Sequence, residues 1–266
     1  MPRQVTSYSN PVVKHVRALR DRKYRRESRQ FMAEGLRILT EARETGRLPR
    51  VLFFNASGAQ HPLARTLIEA VDAAGGDAIE TGPDILGKLS GKDNPQTLLG
   101  VYDEFPTPLD ELDRTRSGIW LVAERLRDPG NLGTMLRTGD AVGAGALILV
   151  GECVDPFSVE AVRASMGALF TVPVVRTAWG PFVQWLRAGP GQLVGLSLQT
   201  DQDYRAARYD APTFLLTGNE AQGLPGDYAR ECNLLVKMPM LGRADSLNAA
   251  VAASVMAYEL LAQQQA

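Results

Sequence analysis

Apolar and polar residues follow one another in two different rhythms along this chain. Asn10-Pro11 opens a stretch with Val12, Val13, Val16 and Leu19 at helical spacing and basic residues on its other side. Residues 33–45 predict a second helix, 51–54 a short strand, 62–74 a helix and 97–102 another strand, together a small α/β domain. From residue 119 the rhythm changes. Strands are predicted over 119–122, 146–150, 172–175, 192–198, 213–216 and 234–238, and helices over 131–141, 158–169, 182–186, 227–231 and 246–261. Continuous apolar strands separated by helices predict a mostly parallel sheet with helices on both faces. Between the two patterns, residues 103–117 hold two prolines and seven charges without apolar periodicity. The expected division is a first domain over 1–105, a linker over 106–117 and a second domain over 118–266.

The composition of the 266 residues, 45% hydrophobic and 22% charged, is that of a globular chain and excludes a largely disordered or fibrous one. No apolar run approaches the ~18–20 residues that span a bilayer, and the polar, Arg-rich start lacks a signal-peptide stretch, so the expectation is a cytoplasmic protein without membrane attachment. Cys153 and Cys232 cannot make a disulfide framework, and no Cys/His spacing suggests a metal site. Charge changes the picture more. Residues 1–30 hold nine Lys/Arg against Asp21 and Glu27, a block of +7 on a chain of net −1. Such a block is either a solvated helix face or a surface that attracts phosphate backbones. The candidates for contact with such a backbone are Lys14, Arg17, Arg22, Lys23, Arg25 and Arg26. Both histidines, His15 and His61, lie in the first quarter of the chain, so chemistry further on must proceed without imidazole.

In a parallel α/β sheet, ligands sit beyond the carboxyl ends of the strands, which directs attention to the loops after Val122, Leu216 and Met238. In the first, Asp128-Pro129-Gly130-Asn131 is a turn that leads into a helix start, and Arg137 lies nearly two turns beyond Asn131. Arg137 offers a planar fork suited to phosphate, although Asn131 could equally be an N-cap and Arg137 a surface residue. In the second, Gly218 permits a sharp turn or close approach of a ligand, and Glu220 is either a helix-start carboxylate or a group that orients a substrate. The third feeds a helix that Asp245 or Ser246 could cap. Capping does not readily explain Asn248, and Leu247, Val251 and Val255 form an i, i+4 apolar row suited to packing. Neither G-x-G-x-x-G after the first strand nor G-x-x-x-x-G-K-[ST] is present, which disfavours a nicotinamide-dependent enzyme and a P-loop protein.

DPGNLGTMLRTGDAVGA, LLTGNEAQGLP and MPMLGRADSLNAAVAASVMAYE, in this order within 119–262, resemble the three motifs of the SpoU/TrmH-type RNA ribose 2′-O-methyltransferases of the SPOUT class. VDPFSVEAVRASMGALF, between the first two, also fits that pattern. SYSNPVVKHVRAL, RQFMAEGLRIL and KLSGKDNPQTLLGV are more loosely similar to the substrate-recognition domain that often precedes it. Ala249-Ala250 departs from the Val-Ser that many relatives carry there. The resemblance implies a deep trefoil knot, S-adenosylmethionine held in a bent pose, and a homodimer with active sites at the interface. It implies cofactor contacts from Gly218, Met238 and Leu247, with Thr217 and Asn219 as secondary candidates, and a catalytic polar set of Asn131, Arg137, Glu220, Ser246 and Asn248. Guanidinium stays protonated in proteins, so Arg137 is expected to bind the neighbouring phosphate and stabilise developing charge, with proton removal shared with phosphate or water. The expected substrate is ribosomal RNA, with transfer RNA, or a non-catalytic RNA-binding or assembly role on the same fold, as alternatives.

Overall fold

A computed structural model describes residues 2–219 and 222–265. They form two compact units, Met1–Phe105 with Phe157–Thr171, and Pro106–Pro156 with Val172–Ala266.

The first unit runs β1 (Arg3–Val5), α1 (Pro11–Ala18), α2 (Arg22–Ser28), β2 (Gln30–Glu34), α3 (Leu36–Glu44), β3 (Val51–Phe54), α4 (Pro62–Ala73), β4 (Asp77–Thr81), α5 (Pro83–Ser90) and β5 (Leu98–Asp103). Its sheet has the order β1-β4-β3-β5-β2, with β5 antiparallel to both neighbours. Asn10 caps α1 by accepting the Val12 N–H at 3.0 Å, as a side chain before proline can. Val13, Val16 and Leu19 then pack with Phe53, Ile79, Leu86 and Val101. The helix expected over 33–45 is divided. Ala33 and Glu34 complete β2, paired in register with Gly100 and Leu99, and Gly35 turns the chain at φ +100° before α3 begins. Pairing with a strand some 66 residues away outweighed local helix preference.

The second half of the chain contains β6 (Ile119–Glu124), α6 (Pro129–Ala141), β7 (Leu147–Val150), α7 (Val159–Ser165), β8 (Val174–Thr177), α8 (Trp179–Arg187), β9 (Gln192–Leu196), β10 (Thr213–Thr217), α9 (Gly226–Glu231), β11 (Leu234–Val236) and α10 (Ala249–Gln265). Of these, α7 belongs to the first unit, where it packs on β2 while the Phe157 and Phe170 rings lie 4.9 and 6.1 Å from Phe31. Local pattern groups this segment with its sequence neighbours; its aromatic partner Phe31 lies more than a hundred residues earlier.

The second unit is built on a six-stranded sheet, all parallel, in the order β11-β9-β10-β6-β7-β8. Alternation along the strands gives it two apolar faces. Trp120, Val122, Ile148, Phe214 and Leu216 meet Phe182 and Leu186 of α8 on one. On the other, Gly139 of α6 lies against Leu121, and α10 packs on α6, β10 and β6. The result is the expected α/β sheet covered by helices. Among the described residues, no helix is long and apolar enough to cross a membrane.

Candidate active site

Past the carboxyl ends of β9, β10 and β11 lies a cavity of about 340 Å³. Its walls come from residues 196–199, 217–219 and 222–224, and from the segment that runs from Val236 into the first turn of α10. All five residues expected to touch a cofactor, Thr217, Gly218, Asn219, Met238 and Leu247, are in these walls. Thr217 ends β10 with its hydroxyl oxygen buried and without a hydrogen-bond partner. Gly218 has no room for a side chain. A Cβ there would stand 2.5 Å from the Leu224 nitrogen and nearer still to the Gly223 carbonyl. That closeness follows from the way the loop shuts on itself, the Gly223 N–H donating to the Asn219 carbonyl at 2.9 Å with Gly223 at φ +66°.

The expected polar residues are brought together only in part. Asp128 caps α6, its carboxylate accepting the Asn131 N–H at 2.7 Å, so the Asn131 side chain is not used as a cap. Its Oδ1 instead accepts from Asn248 Nδ2 at 2.9 Å. Asn248 in turn accepts the Ala250 and Val251 N–H groups at 3.0 and 3.2 Å. The helix therefore starts three residues later than expected, and Asn248, not Asp245 or Ser246, is its cap. Ser246 lines the cavity and donates to Asp245 Oδ1 at 3.1 Å. Arg137 is exposed on α6, outside the cavity walls, and pairs with no described residue. Glu220 lies outside the described residues.

With this geometry, a profile described as the SpoU rRNA Methylase family matches residues 118–258, more than half of the chain. The chain belongs to the SpoU rRNA methylase family. A second profile, the MRM3-like substrate binding domain, matches residues 10–100. The SpoU chain is 32% identical to a 23S rRNA (uridine(2479)-2′-O)-methyltransferase of Streptomyces viridochromogenes, over 98% of this chain and 93% of that protein. It is 28% identical to a 23S rRNA (guanosine(2553)-2′-O)-methyltransferase of Bacillus subtilis, over 97% and 99%. Among solved structures, an AdoMet-bound rRNA methyltransferase from Sinorhizobium meliloti superposes with a TM-score of 0.90 at 40% identity, covering 97% of each chain.

In this SpoU-family chain the basic block at the start is exposed at Lys14, Arg17, Arg22, Lys23 and Arg26. Arg25 is not. It is 3% exposed, and its guanidinium donates to the carbonyls of Leu19 and Arg20 at 2.8 and 2.9 Å, tying α2 to the end of α1. Arg25 is thus corrected from an RNA contact to a structural residue, because those carbonyls need a donor. Two features of the site escaped sequence reasoning. The end of β9 and the loop after it (196–199) form a wall, and the only signal was its place at a parallel strand's carboxyl end. Glu124, the last residue of β6, is 1% exposed; its Oε2 accepts the Asn219 N–H at 3.3 Å, and burial pushes its pKa up. A carboxylate that ends an otherwise apolar strand was the available signal.

Proposed function

We propose that this SpoU-family chain is an S-adenosylmethionine-dependent enzyme that methylates a ribose 2′-hydroxyl of ribosomal RNA. One observation carries this reading. Asn131 and Asn248, 117 residues apart, hydrogen-bond to each other where Ser246 and Leu247 enter the cavity wall. The relatives' names, 23S rRNA 2′-O-methyltransferases, and the AdoMet-bound neighbour support it.

The cavity fits such a cofactor. It offers apolar wall from Leu196, Val236, Met238 and Leu247, backbone groups at Gly218 where a ligand can approach closely, and the unpartnered Thr217 hydroxyl as a polar contact. The chemistry supplied by the bound cofactor is a methyl group already activated on a sulfonium centre. What remains for the protein is alignment and charge. Asn131 and Asn248, locked to each other and to the start of α10, present a fixed polar pair that orients the ribose together with Ser246. Arg137 grips the adjacent phosphate and stabilises charge that develops on the 2′-oxygen, with its proton passing to phosphate or water. Glu220 completes the proposed polar set. Lys14, Arg17, Arg22, Lys23 and Arg26 supply sequence-independent RNA affinity from a recognition domain spanning 1–105.

The enzyme works as a homodimer. Val251, Val255 and Tyr258 on α10 and Leu247 just before it, 45%, 39%, 53% and 43% exposed, form an apolar row that a second copy would cover. A deep trefoil knot, as the resemblance implies, is proposed for the path from the edge strand β11 to α10, which packs on β10 and β6. The compartment consistent with a ribosomal substrate is the cytoplasm.

The test is transfer of labelled methyl from S-adenosylmethionine to total RNA, followed by mapping of 2′-O-methyl sites. Label on ribosomal RNA ribose is the expected outcome. Label on transfer RNA alone would move the substrate, label on a base would overturn the ribose assignment, and cofactor and RNA binding without transfer would make this a binding protein.

A further inference from the structure

Glu124 takes no part in the chemistry above, yet it is the most deeply buried acidic side chain among the described residues. Its Oε2 accepts the backbone N–H of Asn219, while Oε1 has no hydrogen-bond partner and lies 3.7 Å from Arg125 Nε. The Asn219 side chain completes a second tie by donating from Nδ2 to the Arg125 carbonyl at 3.0 Å. To offer that carbonyl, Arg125 holds φ +46°, a left-handed conformation that side-chain-bearing residues adopt at a cost. Two bonds therefore fasten the cavity loop that follows β10 to the residues that lead from β6 to Asn131.

We propose that Glu124 is a positioning residue: it clamps Asn219, and so the cavity wall formed by residues 217–219 and 222–224, in the conformation that binds S-adenosylmethionine. This rests on the reading under Proposed function. The buried carboxylate gives no comparable gain to the fold. No hydrogen bond reaches its second oxygen, its ion pair with Arg125 is with a half-exposed side chain, and an apolar side chain of similar volume serves packing as well or better. Its retention at a strand end is explained by what it holds. The clamp also links the two halves of the site, because the peptide that meets Asn219 lies six residues before Asn131 on the same short connection.

Two variants of nearly equal volume separate holding from filling. Glu124→Met removes the acceptor, and Glu124→Gln keeps one carbonyl oxygen for the Asn219 N–H. With the full-length protein, three quantities are measured: the Kd for S-adenosylmethionine by calorimetry, the thermal midpoint, and hydrogen exchange of the Asn219 amide. In Glu124→Met, Asn219 exchanges faster, cofactor Kd rises about tenfold or more, and the thermal midpoint stays level or rises. Glu124→Gln restores most of the affinity and the amide protection. In turnover assays the loss in Glu124→Met falls on KM for the cofactor more than on kcat. The clamp is refuted if Glu124→Met binds the cofactor as the parent does, or if both variants lose affinity equally. A fall in affinity that only tracks a falling midpoint would make Glu124 a fold residue. Absence of cofactor binding by the parent protein is a separate outcome and would remove the functional reading itself.

Discussion

Placing a single methyl group at residue 218 is the sharpest test of how the cavity is built. In Gly218→Ala the new Cβ meets the main chain of Gly223 and Leu224, which cannot rotate away as a side-chain tip can. Moving the Leu224 nitrogen from 2.5 Å to an ordinary contact at 3.4 Å requires about 0.9 Å of separation between the end of β10 and the returning loop. A misplacement of about 1 Å in a positioning element costs on the order of 10²-fold, about 2.7 kcal/mol. The same overpacking lowers stability by about 1–3 kcal/mol. Calorimetric titration with S-adenosylmethionine, with a thermal melt to fix the folded fraction, reads both effects. Gly180→Ala is the control. It lies in the first turn of α8, and apart from its chain neighbours nothing stands within 4 Å of its added methyl, so cofactor binding is unchanged. A Gly218→Ala protein that binds the cofactor within threefold of the parent would refute the argument that this wall has no slack.

Arg137→Ala lowers kcat for methyl transfer about 10²–10³-fold, while cofactor Kd and thermal midpoint stay unchanged because the side chain is exposed and outside the cavity walls; lost cofactor binding would reassign it. Neutralising Arg22, Lys23 and Arg26 together reduces the salt dependence of RNA binding without lowering stability, whereas Arg25→Ala destabilises by about 1–3 kcal/mol through the orphaned Leu19 and Arg20 carbonyls. Val251→Glu with Val255→Glu shifts the protein to a monomer in light scattering and lowers activity; an unchanged mass excludes this face as the contact between copies. Glu124, faced by Arg125, Arg127, Asp227, Tyr228 and Cys153, has a folded-state pKa above its unfolded value, raised first by burial and then by Asp227. Its favourable contribution is therefore present below the ordinary glutamate pKa and lost as pH rises through the raised value. The stability advantage of Glu124→Met over the parent, read by urea unfolding, is then larger at pH 7 than at pH 4.

How far the sequence disclosed this molecule depended on whether a signal was local. The six parallel strands of the second sheet were legible because each is a short apolar run bounded by turn residues. Gly218 was legible for a similar reason, since a glycine directly after a buried strand marks a place where the backbone turns sharply or is approached closely. What stayed hidden required knowledge of a distant partner. The last two residues of β2, Ala33 and Glu34, read as the start of a helix until β5 is set beside them. The segment 157–171 reads as part of the second domain until Phe157 and Phe170 are set beside Phe31. Arg25 sits among exposed cations, and only the positions of the Leu19 and Arg20 carbonyls draw it inward. The row Leu247, Val251, Val255 shows the complementary failure. Periodicity reveals that a face is apolar, and it does not say whether this chain or another covers it.

Asn248 shows why a structural role and a functional one need not compete. Its Oδ1 is spent on the Ala250 and Val251 N–H groups, which start α10, and its Nδ2 is thereby aimed at Asn131 Oδ1. A serine or aspartate would cap the helix but has no amide donor for Asn131. Asn131 is available to receive that donor only because Asp128 has taken over the capping of α6. The Asp128 cap thus spares the Asn131 side chain from capping, and the Asn248 cap directs an amide at it. At Asn248 the two roles are one, since the cap is what gives the site residue its direction. Asn248→Asp separates the two duties: helix capping persists and the thermal midpoint holds, while the amide donor is gone, Asn131 must turn its carboxamide over to answer a carboxylate, and methyl transfer falls.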